Sequence, residues 1–244
     1  MVGLIPLFAV CAFGEDIPKR LPDFARRVAW FITHKPELAT PVAHLAEGVP
    51  GCKRLLSVPR PEQMRRILEK VLDETEFLSP HGLRSLSAHH RDHPLEIDLG
   101  GSTARLGYEP AESATGLFGG NSNWRGPVWF PLNYLAIEAL RRYHRCLGDD
   151  FTVEMPTGSG TRMTLEQVAD DLCRRLVRLF LNDHTGRRPA FGPAEMFQTH
   201  PRWHDLLTFS EYFHGDTGAG LGASHQTGWT ALVLDLILET RRSG

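Results

Sequence analysis

The sequence predicts an all-α fold, and three observations predict it. Several segments repeat apolar residues at three- and four-residue spacing, helix-start signals stand ahead of them, and no strand–helix–strand rhythm surrounds them. With 244 residues, the chain is long enough for a substantial core and is taken as one domain over residues 1–244.

Residues 1–13 are uncharged and superficially resemble an export signal. They lack a basic start and a small-residue cleavage site, Pro6 interrupts them, and they are too short to span a bilayer. They predict a fully buried helix, and a chain that opens inside a core helix implies a missing upstream part. Residues 21–34 follow, with Pro22 pre-set for the first turn and Leu21, Ala25, Val28 and Ile32 on one stripe. Residues 61–73 start at Pro61 and align Met64, Ile67, Leu68 and Val71.

Residues 95–108 break the helical pattern. Leu95, Ile97 and Leu99, then Ala104, Leu106 and Tyr108, alternate about Gly100-Gly101 and predict a small β-hairpin excursion. The helical pattern returns over 128–147, where Leu132, Leu135, Ala136, Ala139, Leu140 and Tyr143 should be buried and Arg141, Arg142 and Arg145 left outside. Thr164 and Gln167 stand at capping-box spacing ahead of Leu165, Val168, Ala169, Leu172, Cys173, Leu176 and Phe180. The last helix, 228–239, is apolar nearly all round and should be buried on most sides. Between these segments lie long connections (77–94, 109–127, 148–162, 183–206 and 213–226), a length that usually signals function.

Lys and Arg number 27 against 29 acids, a balance that argues against a nucleic-acid partner. Cys11, Cys52, Cys146 and Cys173 show no paired spacing, so buried free thiols, a reducing compartment and a cytoplasmic location are expected. No segment predicts membrane insertion, and no cofactor or metal is expected. His89 and His93 are four apart, but Pro94 disfavours the helix that a metal pair would need, which leaves a solvated loop.

The densest chemistry lies at Gly119–Trp129, where Asn121, Asn123, Trp124, Arg125 and Trp129 precede a helix. Flat rings that stack on sugar faces, beside amides and a guanidinium that bond hydroxyls, suit a carbohydrate. The plainer reading makes both tryptophans core anchors at a helix entry. A second stretch, Phe209–Gly220, joins Glu211 to Tyr212 and Phe213 ahead of a glycine loop. A carboxyl group there suits glycoside hydrolysis, which uses two of them. Asp216, inside Gly-Asp-Thr-Gly, reads as a turn residue. Three short patterns fail: Gly218–Ala223 has no preceding strand, Gly222–Gln226 lacks the last glycine of a nucleophile elbow, and Gly158–Thr161 lacks a phosphate-binding lysine.

Gly119–Leu135, Ser79–Ser87 (SPHGLRSLS) and Gly228-Trp229-Thr230 together closely resemble glycoside hydrolase family 63, the group of processing α-glucosidases and mannosylglycerate hydrolases. The resemblance implies part of an (α/α)6 barrel and hydrolysis of an α-linked sugar with inversion. It makes Glu211 the general base and assigns Trp124, Arg125 and Trp129 to the substrate pocket. Asn123, Tyr212, His225 and Trp229 join them as candidate sugar contacts. The general acid should be an upstream aspartate, for which the sequence offers no counterpart. About six strong helical segments stand where such a barrel needs twelve, so the missing N-terminal part of the barrel is an expected partner. A carbohydrate-binding module or an inactive fragment is the competing reading.

Overall fold

The computed structural model describes residues 2–14, 16–39, 43–45, 52, 54–116 and 119–242. The chain divides into two compact units. One comprises residues 2–69 and 135–169, the other residues 70–134 and 170–244. The main helices are α1 (Pro22–His34), α2 (Pro61–Val71), α3 (Phe130–Leu147), α4 (Leu165–Arg178) and α5 (Val233–Arg242), with short antiparallel hairpins between them.

The helix starts follow local sequence. Pro22 and Pro61 open α1 and α2. The capping box forms at α4: Thr164 N donates to Gln167 Oε1 at 2.9 Å, and Gln167 N to Thr164 Oγ1 at 3.3 Å. Leu165, Val168, Ala169, Leu172, Cys173, Leu176 and Phe180 are all buried as their spacing requires. Helix α2 buries Met64, Leu68 and Val71, and α3 buries Ala136, Ala139, Leu140 and Tyr143.

Four expectations need correcting. First, the apolar N-terminus is not one buried helix. A short turn over Ile5–Phe8 buries Leu7 but exposes Ile5, and Val10–Phe13 forms strand β1. β-Branched and aromatic residues favour that extended form. Strand β1 pairs with β3 (Arg54–Ser57), which also pairs with β2 (Ala43–Leu45), all antiparallel. Second, Leu135 is exposed on α3, whereas Arg141 is buried, its guanidinium within 3.8 Å of Glu138 and 3.5 Å of Glu166. Two carboxylates compensate that charge where the helical stripe alone would turn it outward. Third, α5 buries Val233 and Leu236 but exposes Leu234 and Leu238, and Trp229 before it is exposed as well. On α1 no residue is buried: Ala25, Val28 and Ile32 form the less exposed side, while Leu21, Phe24, Trp30 and Phe31 are open.

Fourth, Cys52 and Cys146 form a disulfide with a Cα–Cα separation of 5.1 Å. The free-thiol argument for a reducing compartment therefore does not apply to this pair. Cys173 is buried as expected and donates to the Leu236 carbonyl at 3.7 Å, while Cys11 is exposed.

In the unit of residues 70–134 and 170–244, three hairpins matter. They are β4–β5 (Leu78–Ser79 with Gly82–Leu83), β6–β7 (Leu95–Asp98 with Thr103–Leu106) and a third between residues 212 and 221. The β6–β7 register sets Leu95 opposite Leu106 and Ile97 opposite Ala104, the excursion that the alternation predicts. The other unit holds the three-stranded sheet and a further hairpin, β8–β9 (Thr152–Glu154 with Arg162–Thr164), within a stretch read from sequence as a loop. The third hairpin of the unit of residues 70–134 and 170–244 is β10–β11 (Tyr212–Phe213 with Gly220–Leu221). Among the described residues no helix is long and apolar enough to cross a membrane.

Candidate active site

Three sequence segments that lie far apart in the chain meet at Val128. Val128 bridges antiparallel to Arg84 on one side and to Phe213 on the other, exchanging N–H···O bonds of 2.8 and 2.9 Å with Phe213. Asn133, in the first turn of α3, locks this junction: its Oδ1 accepts from Leu83 N at 2.6 Å and its Nδ2 donates to the Leu83 and Trp129 carbonyls. Gly126 has φ +155, and a Cβ there would come within 2.6 Å of the Glu109 carbonyl oxygen. Only glycine lets those two backbones approach so closely.

The aromatic residues gather on this frame. Trp124 lies flat on Trp129, with ring centroids 4.0 Å apart and planes 3° apart. Tyr212 stacks on Trp129 at 4.7 Å, and Trp229 meets Trp129 edge-on at 5.5 Å. The Trp129 indole donates to the Asn123 carbonyl at 3.3 Å, and Asn123 Nδ2 donates to the Tyr212 hydroxyl at 2.8 Å. The core-anchor reading holds for Trp129. Trp129 (4% exposed) and Tyr212 (2%) are core anchors, while Trp229 (39%) is open and Trp124 and Asn123 are half-buried.

Arg125 is only 3% exposed. One nitrogen of its guanidinium donates to Glu109 Oε2 and Thr115 Oγ1, both at 2.7 Å, and also to the Ser113 hydroxyl. Glu109 Oε2 in turn accepts from Ala114 N at 3.1 Å, and Asn123 Oδ1 accepts from Ser113 N at 2.8 Å. Arg125 and Asn123 thus hold the 109–115 loop beside the indoles. The side chain of Asn121 lies outside the described residues.

Glu211 is half-buried and immediately precedes β10. Its Oε2 accepts from Ala223 N at 3.1 Å, and its own N–H donates to the Ala223 carbonyl at 2.8 Å. A Cβ placed on Gly222 would lie 2.8 Å from Glu211 Oε2 and 2.7 Å from Tyr212 Cε1. The carboxylate and the tyrosine ring therefore meet over one glycine, and Tyr212 is the ring stacked on Trp129. Burial first, then the charges of Glu112 and Glu211, push the Tyr212 phenol above its ordinary pKa. His225 is exposed in the segment that follows β11, joined to Phe209 by a parallel bridge.

Asp216 does sit in a turn, but its side chain does more than sequence suggests. Its Oδ1 accepts from the Tyr108 hydroxyl at 2.8 Å and from Arg84 at 3.2 Å, and its Oδ2 accepts from Arg91 at 2.7 Å. Burial and that carboxylate hold the Tyr108 phenol well above the usual range. His214 Nδ1 accepts the Asp216 and Thr217 N–H groups at 3.1 and 3.3 Å, which requires the neutral ring. Burial lowers the pKa of both His214 and His81 from 6.5. No local pattern marks this cluster, because its members are far apart in sequence. His89 and His93 stack at 4.3 Å on an exposed turn, and no group suited to a metal ion occurs among the described residues.

The model of the mannosylglycerate hydrolase MGH1-like glycoside hydrolase domain matches residues 54–230. An uncharacterized protein of Saccharomyces cerevisiae is 47% identical over 236 residues, covering 96% of this chain and 22% of the relative. Alpha-glucosidase 2 of Arabidopsis thaliana is 28% identical over 48% of this chain and 11% of its own length. The mannosyl-oligosaccharide glucosidase of S. cerevisiae is 26% identical over 49% of this chain and 11% of its own. The chain thus spans 22% or less of these three relatives. Matched by the family model over all three segments that converge on Val128, the chain belongs to the MGH1-like glycoside hydrolase domain family.

Proposed function

We propose that this chain carries the water-activating half of a glycosidase that cleaves α-linked glucosyl residues with inversion. The observation that carries the reading is the meeting of the Glu211 carboxylate with the Tyr212 ring over Gly222, one ring away from the Trp124–Trp129 stack. A carboxylate beside stacked aromatics and an amide has the components needed to hold a pyranose and to orient a water against it.

In the proposed step Glu211 takes a proton from water, and the water oxygen bonds to the anomeric carbon. The glycosidic C–O bond breaks with its electron pair on the leaving oxygen, which a second carboxyl group must protonate. Trp124, Trp229, Asn123 and His225, which solvent reaches, contact the sugar. Arg125, Trp129 and Tyr212 back them. The acid comes from outside this chain, from the N-terminal part of an (α/α)6 barrel. Apolar side chains left open on α1 and α5 and the small share of the relatives' length support that reading. The likeness to alpha-glucosidase 2 and to a mannosyl-oligosaccharide glucosidase supports glucosylated oligosaccharides as the substrate class.

Proton NMR of the first sugar released by the full-length polypeptide from an α-glucosyl oligosaccharide tests this. The β-anomer should appear first. First release of the α-anomer contradicts inversion, and sugar binding without release makes the chain a binding module instead.

A further inference from the structure

The hydrogen bonds around Glu211 are unequal, and the inequality resides in the segment after β11. Residues 222–226 run back along 209–211. Glu211 N donates to Ala223 O at 2.8 Å, Gln226 N donates to Phe209 O at 2.8 Å, and Phe209 and His225 form a parallel bridge. Thr230 Oγ1 adds a bond of 2.6 Å to the Ser210 carbonyl. Within this strap one donor leaves the backbone pattern: Ala223 N points at Glu211 Oε2, at 3.1 Å. Gly222, with φ +69, makes the turn that aims it there. A Cβ at Gly222 would come within 2.8 Å of Oε2, 3.0 Å of the Glu211 Cβ and 2.7 Å of Tyr212 Cε1. Its positive φ also disfavours any L side chain.

We infer that Gly222 and the Ala223 N–H form a positioning clamp that fixes one oxygen of Glu211 and leaves Oε1 to hold and deprotonate the water. The inference rests on the assignment of Glu211 as base. A carboxylate bonded on one side to a backbone N–H cannot rotate freely, so its second oxygen keeps a constant direction. The clamp uses a backbone donor belonging to the same strap that carries His225, so strap and carboxylate keep their relative geometry. Gly222 touches no substrate in this account and acts through Glu211.

The test is Gly222→Ala in the full-length polypeptide, with Ala223→Pro, which removes the donor, as a second variant. A crystal structure of either variant should show the carboxylate displaced from its place beside residue 223. Misplacing a reacting group by about 1 Å costs roughly 100-fold in rate. In kinetics kcat should therefore fall about 100-fold, while KM and tryptophan-fluorescence binding of the sugar change less than about twofold. An undisplaced carboxylate, or a kcat within twofold of the parent, overturns the inference. So does a loss of binding that parallels the loss of rate, because a merely structural role would produce it. Glu211→Gln, run alongside, separates the two claims. Normal turnover there removes the base assignment itself, whereas an inactive Glu211→Gln beside a fully active Gly222→Ala removes only the clamp.

Discussion

Replacing Asp216 with Asn tests whether the Asp216 cluster holds the β10–β11 hairpin to its frame. The change keeps shape and removes one charge. The Arg91 partner is 54% exposed, so that pair is screened and contributes at most about 0.5 kcal/mol. Arg84 is different, with its side chain only 9% exposed, so it would lose the countercharge on which its burial depends. Removing one partner of a buried pair costs about 3–5 kcal/mol. Asp216 is itself 30% exposed, which brings the expected loss to roughly 2–3 kcal/mol. The Tyr108 hydroxyl can still donate to the asparagine oxygen, so that bond adds little. For a chain of this size, each kcal/mol moves the midpoint by about 2–4 °C. Thermal unfolding followed by circular dichroism should therefore show Asp216→Asn melting roughly 4–12 °C lower. Arg91→Ala should lower it by no more than about 2 °C. A midpoint for Asp216→Asn within about 1 °C of the parent would refute the view that this carboxylate stabilises Arg84.

Two further predictions use the same unfolding assay. His214 and His81 have folded pKa values below their unfolded value of 6.5, so the unfolded chain binds more protons as pH falls. Stability should be fully present above pH 6.5 and decline on acidification toward the folded values. His214→Asn, which keeps an acceptor for the turn, should flatten that decline, and an unchanged slope would contradict it. The Cys52–Cys146 bridge closes a separation of 94 residues, worth about 4–5 kcal/mol by loop entropy. Peptide mass mapping without reduction should recover the two cysteines linked, and reduction should lower the midpoint. Recovery of both as separate alkylated peptides would contradict the pairing.

What could be read from sequence was local. The Thr164–Gln167 box, the Pro22 and Pro61 starts and the 95–106 hairpin each depend on residues a few positions apart, and each forms. The candidate stretches stood out because Trp124, Trp129 and Glu211–Tyr212 fall in short runs, and the structure brings them together. Their burial was not legible: Trp129 and Arg125 are buried, whereas Trp229 is open. The Asp216 cluster escaped because its donors, at positions 84, 91 and 108, lie more than a hundred residues away. Val10–Phe13 escaped for a different reason: a short apolar run fits helix or strand, and only pairing with Arg54–Ser57 decides between them.

The central claim is that the carboxylate of Glu211 activates water beside the indole stack. Its most direct measurement compares turnover and sugar affinity of Glu211→Gln with those of the parent full-length polypeptide on one α-glucosyl oligosaccharide. Turnover should drop by at least about 1,000-fold, within the range seen when an essential acid–base group is removed, with tryptophan-fluorescence affinity preserved. Parent-like turnover by the glutamine variant would contradict the account.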